Sequence, residues 1–268
     1  MKKKLLFWID LIGISLSLTM LLICIFIHND IVQSIMISLS TNIFTSLLLL
    51  SSVDMLLNSQ AEKLNKKEIK RKEKTFIINY NEIIEILISM YTLEYNQLTI
   101  PINKRTKNNR FLDIDDKTLN QTFTINDLCD FAGVDILTFS PLGESIICGY
   151  KSIYGKLIDK ILFLLTNGSF EYYPNLQKIL SSLVKDSLLP QGLDTLISFT
   201  GAGKNSNVLS TITSMIDTYQ GNPMDDYKNQ KYSGNLFLNV ILLYIHLIKS
   251  KKYIEDYKCE IEKIKNGK

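Results

Sequence analysis

The side chains able to do chemistry in this chain are few and far apart in sequence. Thr200, Gly201, Ala202, Gly203, Lys204 and Asn205 come nearest to a motif. A phosphate-binding loop of the form G-x-x-x-x-G-K-[ST] cradles phosphate on backbone N–H groups and follows its lysine with a hydroxyl that holds magnesium. Ser198 and Asn205 occupy its first and last defining positions here, and no strand signal precedes them. A glycine-rich turn between helices is therefore expected. The four cysteines, Cys24, Cys129, Cys148 and Cys259, are scattered and contain no C-x-x-C pair. Cys129 and Cys148 have no histidine nearby to activate a thiolate, so they read as small buried apolar residues. His28 and His246 are too far apart for a local metal-ligand spacing, and His246 on an apolar face reads as a core histidine. Asp113, Asp115 and Asp116 resemble the start of a calcium loop that lacks its glycine and its closing glutamate. Glu82, Glu85 and Glu94 fall on the polar side of one helical period and read as surface carboxylates. No serine elbow, zincin or dinucleotide fingerprint occurs. The expectation is a non-enzymatic protein with no catalytic, metal or cofactor-binding residue and no cofactor.

The elements that would carry these residues begin with two long apolar segments. Residues 5–27 contain one formal charge, Asp10, and residues 31–57 contain one, Asp54. At ~1.5 Å rise per residue they are roughly 34 and 40 Å long, enough to cross a ~30 Å hydrocarbon core. A cleaved signal peptide is the competing reading of the first segment. The apolar run is too long for that, no small-residue cleavage site follows, and a second span comes directly after. Lys2, Lys3 and Lys4 precede the first span, and Lys63, Lys66, Lys67, Lys70, Arg71, Lys72 and Lys74 follow the second, while the turn has no basic residue. Positive charge on both flanks predicts a two-pass protein of the cell inner membrane with both termini cytoplasmic.

Polar and small residues recur along both spans. Asp10, Gly13, Ser17, Met20 and Cys24 share one face of the first helix; Ser34, Ser38, Thr41, Thr45 and Ser52 share one face of the second. Folding the chain about Asn29 sets Gly13 against Thr45, Ser17 against Thr41, Met20 against Ser38 and Cys24 against Ser34. This predicts a membrane-helix seam in which small residues let the helices approach and hydroxyls bond across them. Asn42 lies one step off that stripe, and it and Asp10 are the polar residues expected to meet another copy if the chain oligomerises in the membrane.

The fold class expected is mostly α: a two-helix transmembrane hairpin over residues 1–58, a basic juxtamembrane stretch and amphipathic helix over 59–98, and an all-α cytosolic domain over 99–268. Nothing in 59–75 breaks a helix, so the second span is expected to run straight on. The basic residues from Lys63 to Lys74 are expected to contact anionic headgroups of the lipid bilayer. A helical period starts at Phe76 and fades before Pro101. Further helices are expected from Ser140 to Leu165, from Pro174 to Pro190, around Val208 to Tyr219 and from Gly234 to about Lys265, with a short strand considered around Leu98 to Ile102. The charged end of the last helix predicts pairing either with the helix after the membrane or with a second subunit's copy.

This layout resembles bacterial two-transmembrane effector proteins of phage-defence and abortive-infection systems. The resemblance covers roughly residues 1–98 and is one of architecture, carried by the paired apolar segments and the basic cluster from Lys63 to Lys74. It implies a cytosolic part that senses a partner and a membrane part that then disturbs the bilayer, working as a homo-oligomer or with a protein partner bound by the cytosolic helices. Two other readings stay open: a membrane-tethered module that binds nucleic acid through Lys104 to Arg110, and an enzyme whose site is assembled from distant residues. Nucleic acid is not favoured, because no cytosolic aromatic is interleaved with the basic cluster.

Overall fold

The computed structural model describes residues 2–26, 30–105, 118–135, 144–185, 190–200 and 206–267, without the side chains of 2–10, 24, 190, 191 and 206. Among these residues the chain is all-α. Its only extended pairing is one antiparallel bridge between Val134 and Ser145, and the strand considered around Leu98 to Ile102 is instead a helix end followed by a 3₁₀ turn at Ile102–Lys104. His28, Asn29, Arg110, the Asp113–Asp116 carboxylates, the helix start expected at Ser140 and Pro141, and the Gly201–Asn205 turn lie outside the described residues.

The helices are α1 (Lys2–Cys24), α2 (Asp30–Thr99), α3 (Ile146–Asn167), α4 (Pro174–Lys185), α5 (Pro190–Thr200), α6 (Ser206–Asp217), α7 (Pro223–Lys228) and α8 (Phe237–Lys265). Helix α2 is unbroken over 70 residues because no glycine or proline interrupts it; the helix ends just before Pro101, whose ring disfavours helical geometry in the preceding residue. The chain divides into two compact units, Met1–Arg71 and Lys72–Lys268. The division expected near residue 98 does not occur, since Ile77, Ile84, Tyr91 and Leu98 of α2 belong to the same buried cluster as α3, α4 and α8.

In the first unit, α1 lies antiparallel to the early part of α2: Ser17 meets Ser40, and Gly13 meets Leu47. In the second unit the core is built by amphipathic faces that are legible in sequence. Ile146, Ile153, Leu157, Ile161 and Leu164 of α3 are all buried, as are Leu176, Leu180 and Leu183 of α4. Helix α8 packs against α4, α5 and α7. It also runs antiparallel to the end of α2, where the Tyr91 hydroxyl is 2.7 Å from Ser250 Oγ and the Tyr257 hydroxyl donates to Asn81 Oδ1 at 2.7 Å. The charged end of α8 thus pairs with its own chain's α2. Two helices differ from expectation. Pro190 opens α5 rather than closing α4, its missing N–H being harmless in a first turn. Helix α7 is one short turn started by the Asn222 side chain, which accepts from Met224 N.

The end of α2 is wrapped on all sides. Thr92, Glu94, Asn96, Gln97 and Thr99 are buried although polar. The Asn96 side chain holds the segment 118–120, its Nδ2 donating to the Thr118 carbonyl at 2.9 Å and its Oδ1 accepting from Asn120 N at 2.8 Å, while Asn120 Nδ2 donates to the Thr99 carbonyl. Arg105 then folds back, its guanidinium donating to the carbonyls of Ile100 and Gln97 at 2.9 Å each. These carbonyls lie at a helix C-terminus, where no intrahelical donor remains for them.

Candidate functional sites

Three groups of residues could carry function, two in the first unit or at its edge and one in the second. The first is the contact between α1 and α2. Ser17 and Ser40 are both buried, their Oγ atoms 2.9 Å apart; Ser17 Oγ is 3.1 Å from the Ser40 carbonyl and Ser40 Oγ 2.9 Å from the Ser17 carbonyl. Two hydroxyl protons serve these three contacts. A Cβ placed on Gly13 would collide with the Leu47 methyls, so glycine is what lets the helices approach there. On α1 the predicted seam residues Gly13, Ser17 and Met20 are the least exposed of their helix, while the side chains of Asp10 and Cys24 lie outside the description. On α2 the residues turned to α1 are Ser40 and Leu47, with Gln33, Met36 and Ile43 in phase. The predicted α2 stripe of Ser34, Ser38, Thr41 and Thr45 is exposed instead, with Asn42 beside it. Thr41 and Thr45 donate to the carbonyls of Ile37 and Thr41 in their own helix at 2.8 Å, so these hydroxyls are satisfied without a partner helix.

The second group is basic. Lys63, Lys66, Lys67, Lys70, Arg71 and Lys72 are exposed on α2, in a stretch where residues 59–72 are exposed all round. Lys74 is placed differently: its ammonium donates to the Lys265 carbonyl at 3.3 Å, a cation at the C-terminus of α8. The basic run from Lys104 does not form a patch in its described part. Lys104 pairs with Asp127 and Arg105 is buried.

The third group was not expected from sequence. Glu94 does not sit on a surface. It is buried on α2 beside Asp135, which is buried too, at 4 % and 1 % exposure. Residues 131–135 lie along the start of α3, where Gly133 and Phe131 carbonyls accept from the N–H groups of Ile146 and Ile147, and this sets Asp135 against the first turns of α3. The Gln97 amide bridges the two carboxyls, Nε2 lying 2.8 Å from Asp135 Oδ1 and 3.2 Å from Glu94 Oε2. Both carboxyls press on Gly149, where a Cβ would strike Asp135 Oδ2 and come within 3.1 Å of both Glu94 oxygens. Burial first, then the negative charge of Asp135, the hydrogen bond between the two carboxyls and the charge of Glu144, push Glu94 up to about 8. At neutral pH the pair therefore holds one proton between two acids, as closely spaced carboxyls do. A cavity of about 530 Å³ opens beside Glu94, with Glu144, Ser152 and Lys156 at its polar rim and Met90, Leu93 and Ile153 on its apolar wall.

Next to this pair on α2, Tyr91 joins a buried hydroxyl network with Tyr150 at 3.3 Å and Ser250 at 2.7 Å; burial pushes the Tyr91 hydroxyl up to about 12. His246 is buried against it, its ring edge-on to Tyr154 at 4.7 Å between centroids. No described cluster of three or more His, Cys, Asp or Glu side chains could hold a metal ion. The chain matches no protein family, no curated protein and no solved structure among those compared.

Proposed function

We propose that the first unit is a two-pass anchor in the bacterial inner membrane, with both termini in the cytoplasm, and that the second unit is a helical interaction domain held at its surface. The observation that carries this reading is the exposed apolar surface of α1 and early α2. Ile12, Leu18, Ile35, Leu49, Leu56 and Leu57 are among some two dozen large apolar side chains left uncovered there, and no charge interrupts α2 between Asp30 and Asp54. An 18-residue window of α2 is apolar enough to cross a membrane and only 6 % buried. Soluble monomers rarely expose contiguous apolar patches above a few hundred Å². Lipid covers such a surface, and helices suit it because their backbone groups are bonded internally. The exposed lysines from Lys63 to Lys70 follow, suited to anionic headgroups at about 1 kcal/mol per residue.

In this reading the chain is a membrane effector of defence or stress response, not an enzyme, and it acts as an oligomer, since two helices from one copy enclose no pore. Fractionation tests the anchor: the protein is expected to stay in the membrane pellet after alkaline carbonate extraction, and release into the supernatant overturns the reading. A His28→Cys variant is expected to react at that position with an impermeant thiol reagent from outside the cell, and Cys259 only after lysis. The effector role is tested by induction with a membrane-potential dye; no depolarisation and no growth defect removes it while leaving the anchor in place.

A further inference from the structure

The buried pair formed by Glu94 and Asp135 joins two elements that are distant in sequence, the last turns of α2 and the first turns of α3. The described groups that face it come from three elements. From α2 it is met by the neutral side-chain amide of Gln97, a residue whose backbone carbonyl accepts from the Arg105 guanidinium. From the segment before α3 it is met by Glu144, exposed and negative. From α3 it is met by Gly149, by the half-buried Cys148 thiol, which burial first and Glu144 next hold above its ordinary value, and by Lys156 at the cavity rim. Lys151, one turn further on, is paired with Asp194 of α5. The Tyr91 and Tyr150 hydroxyls lie deeper and bond each other and Ser250.

Two acids this close and this buried can stay together only while one is protonated. The second proton site has a route to water, because Glu94 lines the cavity. The absence of a side chain at Gly149 leaves the space that both carboxyls occupy against the first turns of α3, so the pair sits directly on that helix.

We propose that Glu94 and Asp135 are a proton-held latch that makes the second unit a sensor of the pH around it. The latch is closed while the two carboxyls share one proton, and it opens the contact between the end of α2 and the start of α3 when that proton passes through the cavity to bulk water. This inference does not depend on the membrane reading; it concerns the second unit alone.

The test is hydrogen exchange on the full chain in detergent micelles, read on peptides from the last turns of α2 and the first turns of α3 and corrected for the intrinsic pH dependence of exchange. With Glu94 titrating near 8 in the closed form and near 4.5 when released, one-proton linkage lowers the closing constant by about 50-fold between about pH 6 and pH 8. Wild type is expected to lose protection by up to that factor at both segments, whereas Glu94→Gln, which keeps the shape and the amide donor but cannot titrate, is expected to show no such loss. Equal pH dependence in the two proteins overturns the latch. Infrared spectroscopy of the unaltered chain covers the case in which Glu94→Gln does not fold. A protonated carboxyl band present at neutral pH and lost by about pH 9 supports the pair, and its absence at neutral pH overturns it.

Discussion

The contact between α1 and α2 makes a prediction that separates two registers only one residue apart. The sequence pattern pairs Ser17 with Thr41; the structure pairs it with Ser40, at 2.9 Å between hydroxyl oxygens. On a helix those two positions are ~100° apart, so a reporter at one cannot stand in for the other. With the four native cysteines replaced, the double variant Ser17→Cys/Ser40→Cys is expected to form an intramolecular disulfide on mild oxidation in membranes, because hydroxyl oxygens 2.9 Å apart bring the two side chains face to face and a longer C–S bond closes part of the remaining gap. Ser17→Cys/Thr41→Cys is expected to remain reduced. The energetics follow from the same geometry. Two hydroxyl protons serve three contacts, so at most two hydrogen bonds form at once, and interhelical bonds of this kind in membranes are worth about 0.6–1.7 kcal/mol each. A Ser17→Ala, Ser40→Ala double-mutant cycle is thus expected to give a coupling of about 1 kcal/mol, roughly fivefold in the equilibrium between packed and separated helices. The assay is unfolding of the detergent-solubilised chain, followed by the rate of cross-linking between reporter cysteines at the two helices. Efficient cross-linking of 17 with 41 but not with 40, or a coupling indistinguishable from zero, refutes the packing described.

Further outcomes follow from single contacts. Gly13→Leu is expected to weaken the packing of α1 on α2, and a second change, Leu47→Ala, is expected to restore part of it by clearing the collision, while Thr45→Leu on the exposed face has little effect; thermal stability of the full chain reads all three. Arg105→Ala removes two donors, from the buried carbonyl of Gln97 and the half-buried one of Ile100, and is expected to cost about 2 kcal/mol of second-unit stability by denaturant titration, which Arg105→Lys does not recover because a lysine lacks the forked geometry. Stability is also expected to depend on pH in two opposite senses. Glu94 is raised, so its contribution is complete below about 4.5 and is lost as pH climbs to about 8, by up to roughly 5 kcal/mol at ~1.4 kcal/mol per unit. Burial pushes Asp127 up, but the Lys104 hydrogen bond and the Thr124 N–H and hydroxyl outweigh it and hold it below the usual carboxylate range. Its stabilisation is therefore present above about pH 4 and is lost below. A titration of melting temperature is expected to peak in mildly acidic buffer; a peak above pH 8 contradicts the first of these signs. A thiol reagent at neutral pH is expected to modify Cys259, which is exposed, ahead of Cys129 and Cys148, whose thiols burial pushes up.

How much of this was legible in sequence depended on whether a helix had water on one side. In the second unit it did for α3, α4 and the later turns of α8, whose buried faces follow from their apolar period; the first turns of α8, residues 237–247, have no exposed side and read as a core helix from their apolar run. Early α2 has no charged side chain from Ile31 to Val53 and carries hydroxyls on more than one side, Ser40 as well as Thr41, so no contrast marks which face meets α1. The hydroxyl stripe was the natural guess, yet Thr41 and Thr45 bond their own carbonyls and need no second helix. On α1 the contrast survives in the small residues, and Gly13 and Ser17 do face α2. Glu94 failed for a different reason. Its position, three residues after Tyr91 and one before Tyr95, borders a buried stripe, and a charged residue at such a border reads as solvent-facing. What buries it comes from Gln97 on its own helix, from Asp135 forty-one positions on, and from Gly149 beyond that. None of the three carries a period or a motif. The only trace in the sequence is that Glu94, Asn96, Gln97 and Thr99 crowd polar groups into a helix end just before Pro101. Side chains that can bond in several directions suit a helix end wrapped on every side, because each buried polar atom there needs a partner. The same requirement explains why the acid could be tolerated at all. The Gln97 amide donates to both carboxyls and a hydrogen bond links Glu94 to Asp135, so the two acids are held while they carry a single charge, and a second charge would have to be held in the same buried space.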